Sequence, residues 1–162
     1  MALFMRIQNH RDKQTKFILH RERILITSLF WGDVMEKAKI LIVEDDKSNA
    51  ELMKLLMFQN GYGICDVVAT GEDAVDVAQK IHPDLILMDI SLQGSIDGIM
   101  ACEMIRKTNY IPLIYVSAYG DTDIHSKAMA TKPNAFIEKP FKSKLLIEAV
   151  EMALSGNRQL AM

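Results

Sequence analysis

The sequence predicts an α/β fold, a doubly wound five-stranded parallel sheet of order 2-1-3-4-5 with helices on both faces, spanning residues 38–156. Apolar runs of strand length recur along the chain, with helix-length stretches between them. The strongest runs are unbroken rather than alternating, as in strands covered on both faces. Strand and helix alternate five times, a pattern that calls for right-handed crossovers between parallel strands.

The first strand is Ile40–Val43. In the helix Ser48–Asn60, Leu52, Leu55, Leu56 and Gln59 recur at helical spacing, and Gly61 offers a C-terminal stop. Strand two, Ile64–Ala69, is weaker. Thr70 and Asp73 stand at capping-box spacing before a helix Glu72–Ile81, with Ala74, Val75, Ala78 and Ile81 on one face. Strand three is Leu85–Met88, followed by a helix Gly98–Lys107 with Ile99, Cys102 and Ile105 inward. Strand four is Leu113–Val116. Asp121 or Thr122 can cap the next helix, which runs to Thr131. Strand five is Ala135–Ile137, and the last helix, Lys144–Leu154, sets Leu146, Ala149, Val150 and Ala153 inward.

Composition agrees with one globular domain. The 162 residues are 49 % hydrophobic and 25 % charged, and the net charge of −2 is too neutral for a nucleic-acid binder that works through bulk charge. Cys65 and Cys102 stand far apart with no CxxC pattern, which argues against a disulfide framework or a zinc site and for a reducing, cytoplasmic setting. The longest apolar run, Ile24–Trp31, falls well short of the roughly 18 residues that cross a bilayer. Residues 1–34 carry six basic side chains against three acidic ones, so this segment is basic and the rest of the chain acidic. Three readings of it compete. It is upstream of a start at Met35, or a basic extension that docks elsewhere, or a cryptic signal peptide; its scattered charges make the last the weakest. The expected division is an N-terminal extension over 1–37, the α/β domain over 38–156 and a tail over 157–162. Met53, Met57 and Met88 read as core filler, Cys65 and Cys102 as buried thiols, His82 as a loop residue and His125 as a helix-surface residue.

In an open α/β sheet, chemistry collects at the carboxyl ends of the strands. Glu44, Asp45 and Asp46 follow strand one, Asp89 follows strand three, Ser117 strand four, and Glu138, Lys139 and Pro140 strand five. Taken singly, each is an ordinary loop residue. Their convergence is not, because a pair of carboxylates 4 Å apart repels by about 4 kcal/mol at an effective dielectric of 20. A cation offsets that repulsion. With only oxygen donors on offer, a hard divalent ion, Mg²⁺ or Mn²⁺, fits best. Lys139 adds an ammonium and Ser117 a hydroxyl, so the edge makes a receptacle for a phosphoryl group, in which a carboxylate can act as nucleophile.

Four motifs then carry a resemblance: Ile40-Leu-Ile-Val-Glu-Asp-Asp46, Asp84-Leu-Ile-Leu-Met-Asp89, Pro112-Leu-Ile-Tyr-Val-Ser-Ala118 and Ala135-Phe-Ile-Glu-Lys-Pro-Phe141. In that order and spacing the chain resembles the receiver domain of two-component response regulators, of the stand-alone chemotaxis-regulator type, from Lys39 to Gly156. The resemblance implies a flavodoxin-like three-layer sandwich that is a signalling phosphoacceptor, not an enzyme beyond self-phosphotransfer and autodephosphorylation. Asp89 would accept the phosphoryl group. Asp45, Asp89 and the main-chain carbonyl of Ser91 would bind Mg²⁺, with Glu44 acting through a water. Ser117 would be the switch hydroxyl, Phe136 the switch aromatic and Lys139 the phosphate-pairing lysine, with a cis Lys139–Pro140 bond. The donor would be a sensor histidine kinase or a histidine phosphotransfer protein. The output would be a protein docked on the face of helix four, strand five and helix five, which is also a candidate homodimer face; neither nucleic acid nor membrane is a direct partner.

Two departures stand out. Gln93 replaces the proline usual four residues after the acceptor, and the loop Ile90–Asp97 is one residue longer, with Gly94 absorbing the change. Tyr119 and Ser91 flank the phosphoryl position. Phosphorylation is expected to create contacts of Ser117 and Lys139 that the free state lacks, and to shift a pre-existing equilibrium. Taking that equilibrium from 1:99 to 99:1 needs about 5.5 kcal/mol. Only Ser155–Met162 follow Leu154, so the expectation is a stand-alone receiver that signals by docking or relays its phosphoryl group onward. A haloacid-dehalogenase phosphatase would want Asp-x-Asp after strand one, and a flavodoxin-type FMN binder a hydroxyl-rich loop there; neither is present. A pseudo-receiver scaffold would lack an acid or the lysine, and none is missing.

Overall fold

The computed structural model describes residues 37–118 and 122–158. The readings of the N-terminal segment, of Tyr119 and of Asp121 lie outside the described residues. The elements run β1 (Lys37–Val43), α1 (Lys47–Gln59), β2 (Tyr62–Val68), α2 (Gly71–Ile81), β3 (Leu85–Met88), α3 (Gly98–Arg106), β4 (Leu113–Ala118), α4 (Thr122–Ala130), β5 (Ala135–Lys139) and α5 (Ser143–Arg158). The strands are parallel, in the expected order β2-β1-β3-β4-β5.

Unbroken apolar strands dictate two cores. Side chains alternate across a strand, so Leu41, Val43, Ile86, Met88, Leu113 and Tyr115 point to one face and meet α2, α3 and Ala128 of α4. Ile40, Ile42, Leu85, Leu87, Ile114 and Val116 point to the other and meet Met53, Leu56 and Met57 of α1 and Leu146, Val150 and Ala153 of α5. Every residue of β3 is completely buried. Among the described residues no helix is long and apolar enough to cross a membrane.

Local chemistry sets the helix ends. Asp46 caps α1, its Oδ1 accepting from Asn49 N at 2.8 Å. Thr70 caps α2, its hydroxyl accepting from Asp73 N at 3.1 Å while donating to the Asp73 carboxylate at 2.7 Å, which is half of the predicted capping box. His82, read as a loop residue, closes α2 in a left-handed conformation (φ 50°). Asp97 caps α3. There Gly98 is required by close approach, since a Cβ on it would stand 2.0 Å from the carbonyl oxygen of Asp89.

Several expectations are corrected. The buried stripe of α1 is Ala50, Met53, Leu56 and Met57, whereas Leu52 and Leu55 are exposed. The helix has apolar side chains on both sides, so leucine spacing alone picks the wrong face. Ile81 is exposed at the end of α2, and Cys65 is only half-buried. β2 starts two residues earlier than expected because Tyr62 enters the core. β4 and β5 extend through Ser117 and Lys139, which are therefore strand residues rather than residues of the following loops.

The rotated stripe of α1 is directly testable. Met53→Ala is expected to cost about 3 kcal/mol through the cavity it leaves, and Leu52→Ala within about 0.5 kcal/mol, by urea unfolding.

Candidate functional site

Register brings the site together. β1 and β3 pair from Ile40↔Leu85 to Val43↔Met88, and Asp89 N donates to Val43 O at 2.9 Å. Glu44 and Asp89 therefore leave adjacent strands at the same level. Glu44 N donates to Val68 O at 2.9 Å, continuing the β1–β2 ladder. On the other flank, β4 and β5 pair Ser117↔Glu138 and Ala118↔Lys139, which brings Lys139 to the same edge.

The polar atoms converge tightly. Ser117 Oγ donates to Asp89 Oδ1 at 2.7 Å, and Lys139 Nζ donates to Asp89 Oδ2 at 2.7 Å and to Glu44 Oε2 at 2.6 Å. Glu44, Asp89 and Ser117 are the buried polar residues among those described, at 3 %, 6 % and 3 % exposure. Glu44, Asp45 and Asp89 each offer an oxygen, all within 4.8 Å of one another. The Lys139–Pro140 bond is cis.

Burial and charge oppose each other here. Burial raises the Glu44 carboxyl above its ordinary value of 4.5, and the hydrogen bond from Lys139 offsets only part of that. Burial alone would lower the Lys139 ammonium, but the hydrogen bonds to Asp89 and Glu44 outweigh it and raise it above 10.5. Three carboxylates against one ammonium leave an excess of negative charge in an all-oxygen donor set, which suits a hard divalent cation.

Two of the expected contacts are already made. Sequence reasoning has Ser117 and Lys139 engage only when a phosphoryl group arrives, yet both bond the Asp89 carboxylate itself. Two carboxylates held out of water require a counter-charge, and Lys139 is the ammonium that the strand ends place within reach. Of the acids after β1, Asp46 serves as a helix cap, leaving Glu44 and Asp45 to the site. Ser91 is at the cluster through its backbone, its N–H donating to Asp89 Oδ1 at 3.2 Å. Phe136 is not at the cluster; its ring lies between Tyr115 (centroids 6.2 Å apart) and His125 (4.7 Å, edge-on). His125 is exposed on α4, as expected of a helix-surface residue, and its ring makes this contact from there. Sequence reasoning misses Asn49, whose Nδ2 donates to Glu44 Oε1 at 3.3 Å. Its place in the first turn after the acidic run is the one signal that points to it.

Comparison with known proteins now places the chain. A family model for the response regulator receiver domain matches residues 40–151. The chain belongs to that family. Receivers of two-component systems share the five-stranded 2-1-3-4-5 sheet seen here, and an aspartyl phosphoacceptor with Mg²⁺ is general to them. The chain is 31% identical over 121 residues to the DNA-binding response regulator MtrA of Mycobacterium tuberculosis, covering 75% of this chain and 52% of MtrA. It is 29% identical over 129 residues to the transcriptional regulatory protein PdtaR of the same species, covering 80% of this chain and 62% of PdtaR. The chain spans about half the length of the first of these curated relatives. Among solved structures, it resembles the receiver domain of a modulated diguanylate cyclase from Desulfovibrio desulfuricans G20, with TM-score 0.71 and 28% identity over 75% of this chain and 97% of that one. It also resembles the N-terminal domain of a three-domain response regulator from Carboxydothermus hydrogenoformans, with TM-score 0.69 and 32% identity over 76% of this chain and 99% of that one.

The raised Glu44 fixes the sign of a pH effect. A carboxyl whose folded pKa exceeds its unfolded one adds stability below the unfolded value and loses it as pH rises through the folded one. In metal-free buffer at pH 7, Glu44→Gln is therefore expected to be more stable than the parent chain. The difference should close as pH falls below 4.5, measured by denaturant midpoints across the range.

Proposed function

We propose that residues 38–156 form a receiver that takes a phosphoryl group from a phosphohistidine onto Asp89 and passes its state to a partner protein through α4, β5 and α5. The observation that supports this most directly is the environment of the Asp89 carboxylate. A hydroxyl and an ammonium each bond one of its oxygens at 2.7 Å, and the oxygens of Glu44 and Asp45 lie beside it.

The step is a displacement at phosphorus. An Asp89 oxygen forms the new P–O bond, the P–N bond to the donor imidazole breaks, and the imidazole keeps the electron pair and takes a proton from solvent. Asp45, Asp89 and the Ser91 carbonyl would hold Mg²⁺ directly and Glu44 through a water; when bound, the ion supplies positive charge to the phosphoryl oxygens. Lys139 neutralises a further part of that charge. The donor is a sensor histidine kinase or a histidine phosphotransfer protein.

Because Ser117 and Lys139 already hold the carboxylate, the switch is an exchange of partners. Lys139 gives up Asp89 for a phosphoryl oxygen, and the Ser117 hydroxyl follows the charge outward. Withdrawal of Ser117 opens room beside Tyr115 and β5, and Phe136 turns into it, leaving its edge contact with His125. The exposed side of α4 and β5 then changes shape for a docking partner, or for a second copy of the chain.

Incubation with acetyl phosphate and Mg²⁺ is expected to add one acid-stable, base-labile phosphoryl group by intact mass, with none on Asp89→Asn and none after chelation. Lys139→Ala should slow the labelling about 100-fold, the usual scale for losing one fixed electrostatic contact to a developing charge. Labelling that survives in Asp89→Asn would overturn the assignment.

A further inference from the structure

The loop that leaves the acceptor is tied at both ends. At its neck, Ile90 O accepts from Leu92 N at 3.1 Å and from Gly98 N at 3.0 Å. At its tip it is bound to a different element. Ser95 N donates to Glu72 Oε1, in the first turn of α2, at 2.7 Å. Gln93 forms a parallel bridge with Thr70, the cap of the same helix. Gly94 adopts φ 112°, a conformation that favours glycine, and the Glu72 carboxylate packs against it, with Oε2 2.5 Å from where a Cβ would stand. The longer loop is thus braced on α2 by a side chain from outside the acidic cluster.

We propose that Glu72 is a positioning residue for the metal: by fixing the loop tip through the Ser95 amide, it sets where the Ser91 carbonyl stands relative to Asp45 and Asp89. The proposal rests on the reading of Ser91 as a metal ligand. A carboxylate accepting from a backbone amide is a charge-assisted contact, stronger than a neutral one, and the Ser95 amide holds the Glu72 carboxyl below its ordinary value. Ser91 lies four residues before Ser95. Its own N–H bonds Asp89 at 3.2 Å, so a shift of the tip is carried to the peptide beside the acceptor. Residues that hold a metal's ligands in place typically cost about 10- to 100-fold in affinity when removed. Glu72 acts through main chain, so the lower end applies.

The test uses the full chain with Glu72→Ala and Glu72→Gln, Mg²⁺ titrations followed by amide NMR, and hydrogen exchange at Ser95. Glu72→Ala is expected to speed exchange at Ser95 and weaken Mg²⁺ about tenfold, with an unfolding midpoint close to the parent's. Saturating Mg²⁺ should restore its acetyl phosphate labelling rate, a rescue that a general structural defect would not show. Glu72→Gln keeps an uncharged acceptor and should fall between; it also carries the test if the alanine variant fails to fold. Faster Ser95 exchange with unchanged Mg²⁺ affinity would overturn the role of Glu72 alone. A parent chain that binds no Mg²⁺ would overturn the reading of the acidic site and, with it, this one.

Discussion

Two carboxylates are taken out of water by the ends of adjacent parallel strands, and one ammonium answers them. That ion cluster is the constraint on which the rest depends. Glu44 and Asp89 are buried because β1 and β3 are covered on both faces, and Lys139 must cross from β5 to reach them. An uncompensated buried charge costs several kcal/mol, so β5 cannot drift away from β1 and β3 while the pair stays ionised. The apolar cores set the sheet, and the ion cluster ties the end of β5 to those of β1 and β3.

Much of this was legible because it depends on short-range pattern. The runs Ile40–Val43, Leu85–Met88 and Leu113–Val116 read as strands since nothing but a two-sided core accommodates so many adjacent apolar residues. The acids at their ends then mark the crevice. Ser117 and Lys139 sit a little inside β4 and β5 rather than after them, an error of a residue or two that leaves their convergence intact. Where the pattern is ambiguous the reading fails. Leu52 and Leu55 share helical spacing with Leu56, yet the sheet meets the side of α1 that carries Met53 and Met57, which composition had already marked as core filler.

Contacts that support the site from its flanks were not legible. Asn49 touches Glu44 and Glu72 touches Ser95, and neither spacing follows a local rule. The partner exchange proposed for Lys139 and Ser117 is likewise invisible in sequence, which supplies the residues but not who holds them at rest. Gly94 and Gly98 were visible as glycines; that one admits a carboxylate and the other a carbonyl is a fact of packing.

The fastening of α4 has a mechanical meaning. Ala128 is the residue of this helix buried among those described, and just beyond its last turn Thr131 Oγ1 lies 3.1 Å from the Tyr115 hydroxyl. Its earlier half rests on the sheet through the His125 ring against Phe136. Along a helix about 14 Å long, the fastenings to the sheet thus include a buried alanine and a threonine hydroxyl toward its C-terminal end and a ring pair near its middle. In the switch proposed above, a turn of Phe136 would change the His125 contact and leave the Ala128 and Thr131 fastenings in place, so α4 would tilt about its C-terminal end rather than detach.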